Sequence, residues 1–310
     1  MTQPASTTTS SRMPGARPGL RRIRVPLLVD VVLVDHLDDI TELNANPQLT
    51  RVVQRGGPLL NRVLSRRVAR AFAIGTAPLP TFTDRTDAGR ASRQHLLETR
   101  LTQQASSQGV QASELPALRD YVQGRGDAAT VGVAVQGILG RLFDPGYRAT
   151  SRTYDAAKVV TQFPRALPPR SWWWRLSGTL ARSQAVLAQT AQGDPAAIHA
   201  VTNTVHNVVE TLTRMRALAT DDRSRMTPER AVAQCLAAPP ALLRWCAAPT
   251  RITGLAKPLR PGTLVLLRLG KAHDEVHDAA SPFLVGAWNQ CPAHRYVTVL
   301  LERVWAAARG

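Results

Sequence analysis

Lysine is almost missing from this chain: of 39 basic residues only Lys158, Lys257 and Lys271 are not arginine. Acid is scarce as well, 22 residues, which leaves a formal net charge of +17. Cysteine occurs three times, at Cys235, Cys246 and Cys291, an odd number with no paired spacing. That excludes a disulfide framework and fits a reducing cytoplasm. No run approaches the roughly 18 apolar residues of a membrane-spanning helix, so no membrane partner is expected. Residues 1–24 hold neither an acid nor an apolar segment, which excludes a secretory signal. They read as a disordered basic tail ahead of a single domain, 25–310. Zinc-finger, RNP and clear helix-turn-helix signatures are missing, and the arginines are spread over the whole length, which argues against nucleic acid despite the charge. Gly-rich phosphate loops, a Gly-x-Ser-x-Gly elbow and paired carboxylates are missing too. The alanine and arginine bias points to a GC-rich bacterial genome.

What is present is enough for a sizeable core: 310 residues, 44% of them apolar. The fold class is mainly α with small β elements. Val29–Val34 is short and β-branched, a strand, and Asp35–Leu43 carries acids in a first helical turn. Arg62, Arg66, Arg67 and Arg70 share one face of a helix, a solvated or partner-facing surface. Pro78–Asp87 is a loop, and Arg90–Leu101 a helix. Val131–Phe143 is an apolar helix stopped by Asp144-Pro145-Gly146, and Tyr147–Val160 is helical again. Trp172-Trp173-Trp174 opens a helix reaching about Ala191, and three adjacent indoles cannot all face one way, so at least one meets solvent, a partner or a cavity. A long helix runs from Ala196 to about Leu218. After Arg251 the character turns to β, with Leu264–Leu267 a strand, and a last helix covers about Pro292–Ala308.

The segment of most chemical interest is Pro282 to His294, which contains Gly286, Trp288, Asn289, Cys291 and Pro292 just ahead of that last helix. A cysteine at a helix start has its sulfur over unpaired amides and the positive end of the dipole, which favours thiolate, a metal ligand. His199 and His206, seven residues apart, are too distant for one metal without partners between them. His273 and His277 have the spacing of a helical metal pair but lack the glutamate that a zincin helix places after its first histidine.

The loop-Cys291-Pro292-Ala293-helix arrangement resembles the ligand loop of the cytochrome P450 family, where the cysteine is the axial ligand of heme iron. The strand Val29–Val34 with the helix after it resembles the family's opening strand and B helix. Ala238-Pro239-Pro240 and Pro261-Gly262-Thr263 are similar to two segments downstream of the family's Glu-x-x-Arg motif. The resemblance implies a trimmed cytochrome P450-like fold with heme b held through Cys291. It implies Arg244 on a propionate, with Arg90 and Arg93, in the counterpart of the C helix, as further candidates. Ala200–Thr204 falls where the family carries Ala-Gly-x-Asp/Glu-Thr, so Thr204 and Asn203 would line the oxygen side. The implied activity is monooxygenation, or a peroxygenase-like reaction, of a small apolar substrate. Electrons would come from an acidic ferredoxin-type donor docking near Arg295 and Arg303. Departures are specific: Phe283 and Gly286 stand one residue further upstream of the cysteine than in the family, and Asn289 replaces a basic residue. Val201 and Asn203 replace the helix glycine and acid, and Ala233 and Leu236 replace the glutamate and arginine. They keep a second reading open, a degenerate relative that binds or assists without turnover.

Overall fold

The computed structural model describes Arg17 and residues 19–106, 114–218 and 225–309. Strand β1 (Leu20–Val25) turns at Pro26-Leu27-Leu28 into β2 (Val29–Val34), and the two pair antiparallel from Leu20–Val34 to Val25–Val29. The expected tail 1–24 is therefore corrected at its end, since Leu20–Arg24 are strand. The reason is one carboxylate: Asp30, 4% exposed, accepts from Arg22 Nε and Nη2 at 2.8 and 2.7 Å, so basic residues that suggested disorder are neutralised across the hairpin. Residues 1–16 and 18 lie outside the described residues.

The sheet has the order β1-β2-β5-β4-β3, with β3 Leu49–Thr50, β4 Leu242–Cys246 and β5 Leu264–Leu267. Only β2 and β5 are parallel, which brings a strand from near the start of the chain beside one from near its end. Val32, Val34, Val265 and Leu267 are fully buried on this sheet and pack with Ile40 and Leu43 of α1 (Leu37–Ala45). β4 stands before the point at which the sequence pattern turns to β. Its Leu-Leu-Arg-Trp-Cys run contains a buried arginine, which masks the apolar signal.

The helices supply the rest. They are α2 (Leu59–Ala71), α3 (Arg90–Ser106), α4 (Leu115–Val122), α5 (Ala128–Arg141) and α6 (Ser151–Gln162). Asp127 caps α5 by accepting from the amides of Ala129 and Thr130, and Thr150 with Thr153 forms a reciprocal cap on α6. The single helix expected from Trp172 to Ala191 is two, α7 (Pro168–Leu176) and α8 (Thr179–Thr190). Gly178 between them sits at φ 70°, a left-handed conformation that stops α7. Trp174 packs inward while Trp172 and Trp173 are exposed, as adjacent positions on a helix require.

The long helix is interrupted too. α9 (Pro195–His199) passes through a π turn at Ala200–Thr204 into α10 (Val205–Ala217). A π turn leaves part of the carbonyl ladder to outside donors, and Gln136 of α5, fully buried, donates from Nε2 to Val201 O at 3.0 Å. The chain closes with α11 (Pro228–Cys235), α12 (Leu269–Val276) and α13 (His294–Arg309). The main core is built from α3, α4, α5, α10, α11 and α13, and a second core lies among α6, α7, α8 and α9. Mainly helix with a small mixed sheet is the class the sequence indicated. Among the described residues no helix is long and apolar enough to cross a membrane.

Candidate functional site

The loop before α13 is held by hydrogen bonds within itself, one between backbone groups and one to a side chain. Cys291 N–H donates to Phe283 O at 2.8 Å, closing the loop into a compact turn, and Gln290 Oε1 accepts from Gly286 N–H at 2.7 Å. α3 clasps it from outside, with Gln94 Nε2 on Gln290 O and Gln290 Nε2 on Glu98 Oε1. Phe283, buried, packs toward the His294 ring at 6.4 Å. Cys291 and Ala293 lie against the main core, the same cluster that contains Ala200 of the π turn and Val205 of α10. The loop and the interrupted helix thus border one apolar body.

The Cys291 thiol is pushed up to about 11, chiefly by burial, against which the Ala293 amide at the start of α13 pulls it down. The helix-start amide acts in the expected direction, but desolvation outweighs it, so the uncoordinated sulfur is a thiol near pH 7 and a bound cation would favour its thiolate. All three cysteines are free, and burial also raises Cys235, to about 11, and Cys246.

Beside the loop lies a cluster of arginines that the sequence only partly indicated. Arg244, in β4 and 2% exposed, donates from Nη2 to Asn44 Oδ1 at 2.5 Å and from Nη1 to Leu243 O at 2.8 Å, while its Nε has no partner. Asn44 in turn donates to Asn289 Oδ1 at 2.7 Å, so the residue standing in for a loop base is tied to Arg244 through one amide. Arg51, 9% exposed, also has an unpartnered Nε. The guanidinium carbons of Arg85 and Arg90 stand 4.9 Å from the Trp288 ring centroid and that of Arg51 stands 5.7 Å away. Arg90 also donates to Thr83 Oγ1. Burial lowers Arg51 well below its usual value, with Arg244 and Arg90 adding repulsion, and lowers Arg244 to about 10.

Four guanidinium groups therefore converge with Asp84 and Asp87 as the carboxylates among them. Arg51 and Arg244 are buried, Arg90 half-buried and Arg85 exposed, and the buried pair of positive charges is costly unless an anion enters. Arg93, by contrast, is exposed and stays outside the cluster. Arg51 and Arg85 carry no signal in the sequence because each is an isolated residue in a different segment, and Trp288, though within the cysteine loop, does not show there that guanidinium groups gather on its ring.

On the helix side, Asn203 and Thr204 are partly buried within the π turn. Asn203 Nδ2 lies 3.1 Å from His199 Nδ1, and Thr81 Oγ1 lies 3.0 Å from the same nitrogen. An amide nitrogen only donates, so Nδ1 accepts and the ring carries its proton on Nε2. Burial, and then the charge of Arg51, hold His199 down at about 4, so it is neutral near pH 7. His206 instead lies 5.8 Å from the Tyr154 ring, so the two histidines do not meet. His273 and His277 have ring centroids 6.3 Å apart, and among the described residues no group of three or more His, Cys, Asp or Glu could hold a metal. Where the family carries its Glu-x-x-Arg, Leu236 is buried in the main core and Ala233 is partly buried beside it, so apolar packing replaces the ion pair.

The residues present fit a heme: a cysteine on a helix-start amide, a π turn bordering the same core, and two buried guanidinium nitrogens without partners beside the cysteine loop. No family model and no curated protein matches the sequence. Solved structures match its fold. CxnD, a cytochrome P450 enzyme for C–S bond formation in chuangxinmycin biosynthesis, superposes at a TM-score of 0.60 with 12% identity, over 93% of this chain and 82% of that one. P450BioI, solved with an acyl carrier protein ligated to hexadec-9Z-enoic acid, gives 0.58 and 12%, over 94% and 87%. Cytochrome P450-153 from Novosphingobium aromaticivorans gives 0.55 and 16%, over 94% and 85%. The chain has the cytochrome P450 fold, in shortened and divergent form.

Proposed function

From that fold we propose a heme-thiolate protein in which Cys291 would hold the iron of heme b through its sulfur. The observation that carries this reading is the arginine cluster: Arg244 and Arg51, nearly buried, each present an Nε with no partner beside the cysteine loop. A dianionic cofactor edge answers both, and Arg90 adds a third guanidinium. When bound, the heme supplies activation of dioxygen or peroxide for insertion into a small apolar substrate, as a monooxygenase or peroxygenase. Cys291 contributes sulfur ligation, and the Ala293 amide orients the sulfur and lowers its basicity. Thr204, partly buried within the π turn, would supply a hydroxyl on the oxygen side. Asn203 cannot exchange protons near neutrality, but it is hydrogen-bonded to His199, which places a titratable ring in the network where the family has an acid. The proposed electron donor is an acidic ferredoxin-type protein, met by the exposed Arg295 with Arg303 at the α13 surface.

The test is the spectrum of protein expressed with heme precursor. A Soret band, and a red-shifted ferrous–CO band lost in Cys291→Ser but kept in Cys235→Ser, support the assignment. Colourless protein that gains no Soret band on titration with hemin rejects it. A second reading, a heme-binding relative that assists without turnover, is favoured by the loss of the acid at Asn203 and of the ion pair at Ala233 and Leu236. Heme-loaded protein that consumes neither peroxide nor reductant beyond a buffer control would select it.

A further inference from the structure

Helix α5 carries three glycines, and two of them have a reason in the packing. A Cβ on Gly132 would stand 2.1 Å from the Tyr154 ring, and one on Gly140 2.1 Å from the Tyr147 ring, so each makes room for an aromatic side chain. Gly137 has no ring over it. Its Cβ would meet Arg141 Nη1 at 3.3 Å and the Ala149 methyl at 3.7 Å. Glycine weakens the middle of a helix relative to alanine. Here the space it leaves belongs to a cavity of about 360 Å³, open to the surface between α5 and the residues ahead of α4 and α6.

The wall of this cavity is apolar: Val133 and Ala134, one turn before Gly137, and Ala149 opposite, all partly buried. Its remaining lining is charged. Arg141, one turn after Gly137, lies back over that glycine and pairs with Glu114, the two side chains being 26% and 17% exposed. Arg148 is exposed and makes no ion pair among the described residues. Two guanidinium groups against one carboxylate leave the cavity one positive charge in excess. Burial lowers Arg141 below its usual value, so its charge is incompletely solvated and gains from a further anion. None of these residues belongs to the cysteine loop or to the arginines around Trp288.

We propose that this cavity binds a small carboxylic acid with an apolar body, of the aryl-substituted short-chain class, as a second small-molecule site. Its carboxylate meets Arg148 and shares Arg141 with Glu114, while its hydrocarbon part covers Val133, Ala134 and Ala149. A guanidinium suits a carboxylate because it offers two parallel donors. Inorganic phosphate would satisfy the arginines and leave the apolar wall wet. A neutral alcohol of the same shape would do the reverse. The inference does not depend on heme.

The experiment is calorimetric titration of the full-length chain with 3-phenylpropionate, 3-phenylpropan-1-ol and inorganic phosphate. The acid should bind about tenfold more tightly than either of the others. Arg148→Gln should weaken the acid by about tenfold and leave the alcohol unchanged. Ala134→Leu should weaken both by filling the apolar wall. Arg148 is exposed, so its variant carries the test should Ala134→Leu perturb α5. Three results would overturn the proposal: no saturable binding of the acid at millimolar concentration; alcohol or phosphate bound as tightly as the acid; and acid affinity unaltered in Arg148→Gln, which would place the ligand elsewhere on the molecule.

Discussion

The guanidinium carbon of Arg90, at the start of α3, lies 4.9 Å from the centroid of the Trp288 ring in the cysteine loop, and Arg85 matches it at the same distance. The indole is thus the hub on which positive groups from separate segments converge. Each cation–π contact contributes roughly 0.5–1 kcal/mol, more where desolvated. Trp288→Ala should lower unfolding free energy by about 2 kcal/mol in urea titrations, and Trp288→Phe by less than half of that. Equal losses would mean that packing volume, and not the ring's face, organises the cluster.

Arg244 separates stability from cofactor binding. Without an anion its buried charge is a burden, so Arg244→Met should leave the heme-free protein within about 1 kcal/mol of wild type. The same variant should lose heme faster to an apomyoglobin acceptor, since a charge-assisted bond contributes roughly 1.5–3 kcal/mol. Unchanged heme loss would remove Arg244 from the site. Arg51→Met, with its own unpartnered Nε, should behave alike, and the exposed Arg93→Met should change neither quantity.

His199 makes acid stability predictable in sign. Its native value, about 4, lies below the ordinary 6.5, so the unfolded chain binds more protons between those values. Stability is complete above about pH 6.5 and falls as pH drops toward 4, by up to roughly 1.4 kcal/mol per unit from this ring. His206 and His273 are also lowered by burial and add slope in the same direction. Urea titrations at pH 7 and pH 5 should therefore show a smaller drop for His199→Gln than for wild type. An identical drop would assign the acid sensitivity to the other two.

Gln136 should prove indispensable. It accepts from Thr153 Oγ1 at 2.7 Å and donates to Thr153 O and Val201 O, all in the interior. Gln136→Leu strands the Val201 carbonyl and should cost about 2–4 kcal/mol by calorimetry or urea unfolding. A neutral result would show that the π turn satisfies itself.

Local signals carried much of this architecture into the sequence. Asp144-Pro145-Gly146 stops a helix, Asp194-Pro195 starts one, and the cysteine loop is a contiguous run whose place before α13 can be read directly. What could not be read is where separate segments meet. Nothing in the spacing of Arg51, Arg85 and Arg90 says that their charges gather around one indole, because that depends on the β3–β4 pairing and on the path of the Pro78–Asp87 loop. Arg244 was legible from the Pro-Pro turn before it. Its hydrogen bond to Asn44 was not, since those residues meet only through the sheet. The break at Gly178 had a signal, a glycine between two helical runs, which the apolar continuity across it concealed.

The π turn at Ala200–Thr204 also sets the phase of the whole helix. It places one extra residue in a turn, so everything after it is rotated by about 100° relative to an uninterrupted α-helix. Ala197 and Ile198 before the turn, and Val201 within it, belong to the core among α6, α7 and α8. After it, Val205, Val208, Val209, Leu212 and Met215 belong to the core of α3, α5 and α13. One rod thereby serves two interiors that do not share a face. Deleting a single residue within the turn would restore regular periodicity and in the same stroke misalign one apolar stripe with its core, so this segment should tolerate substitution far better than any change in length.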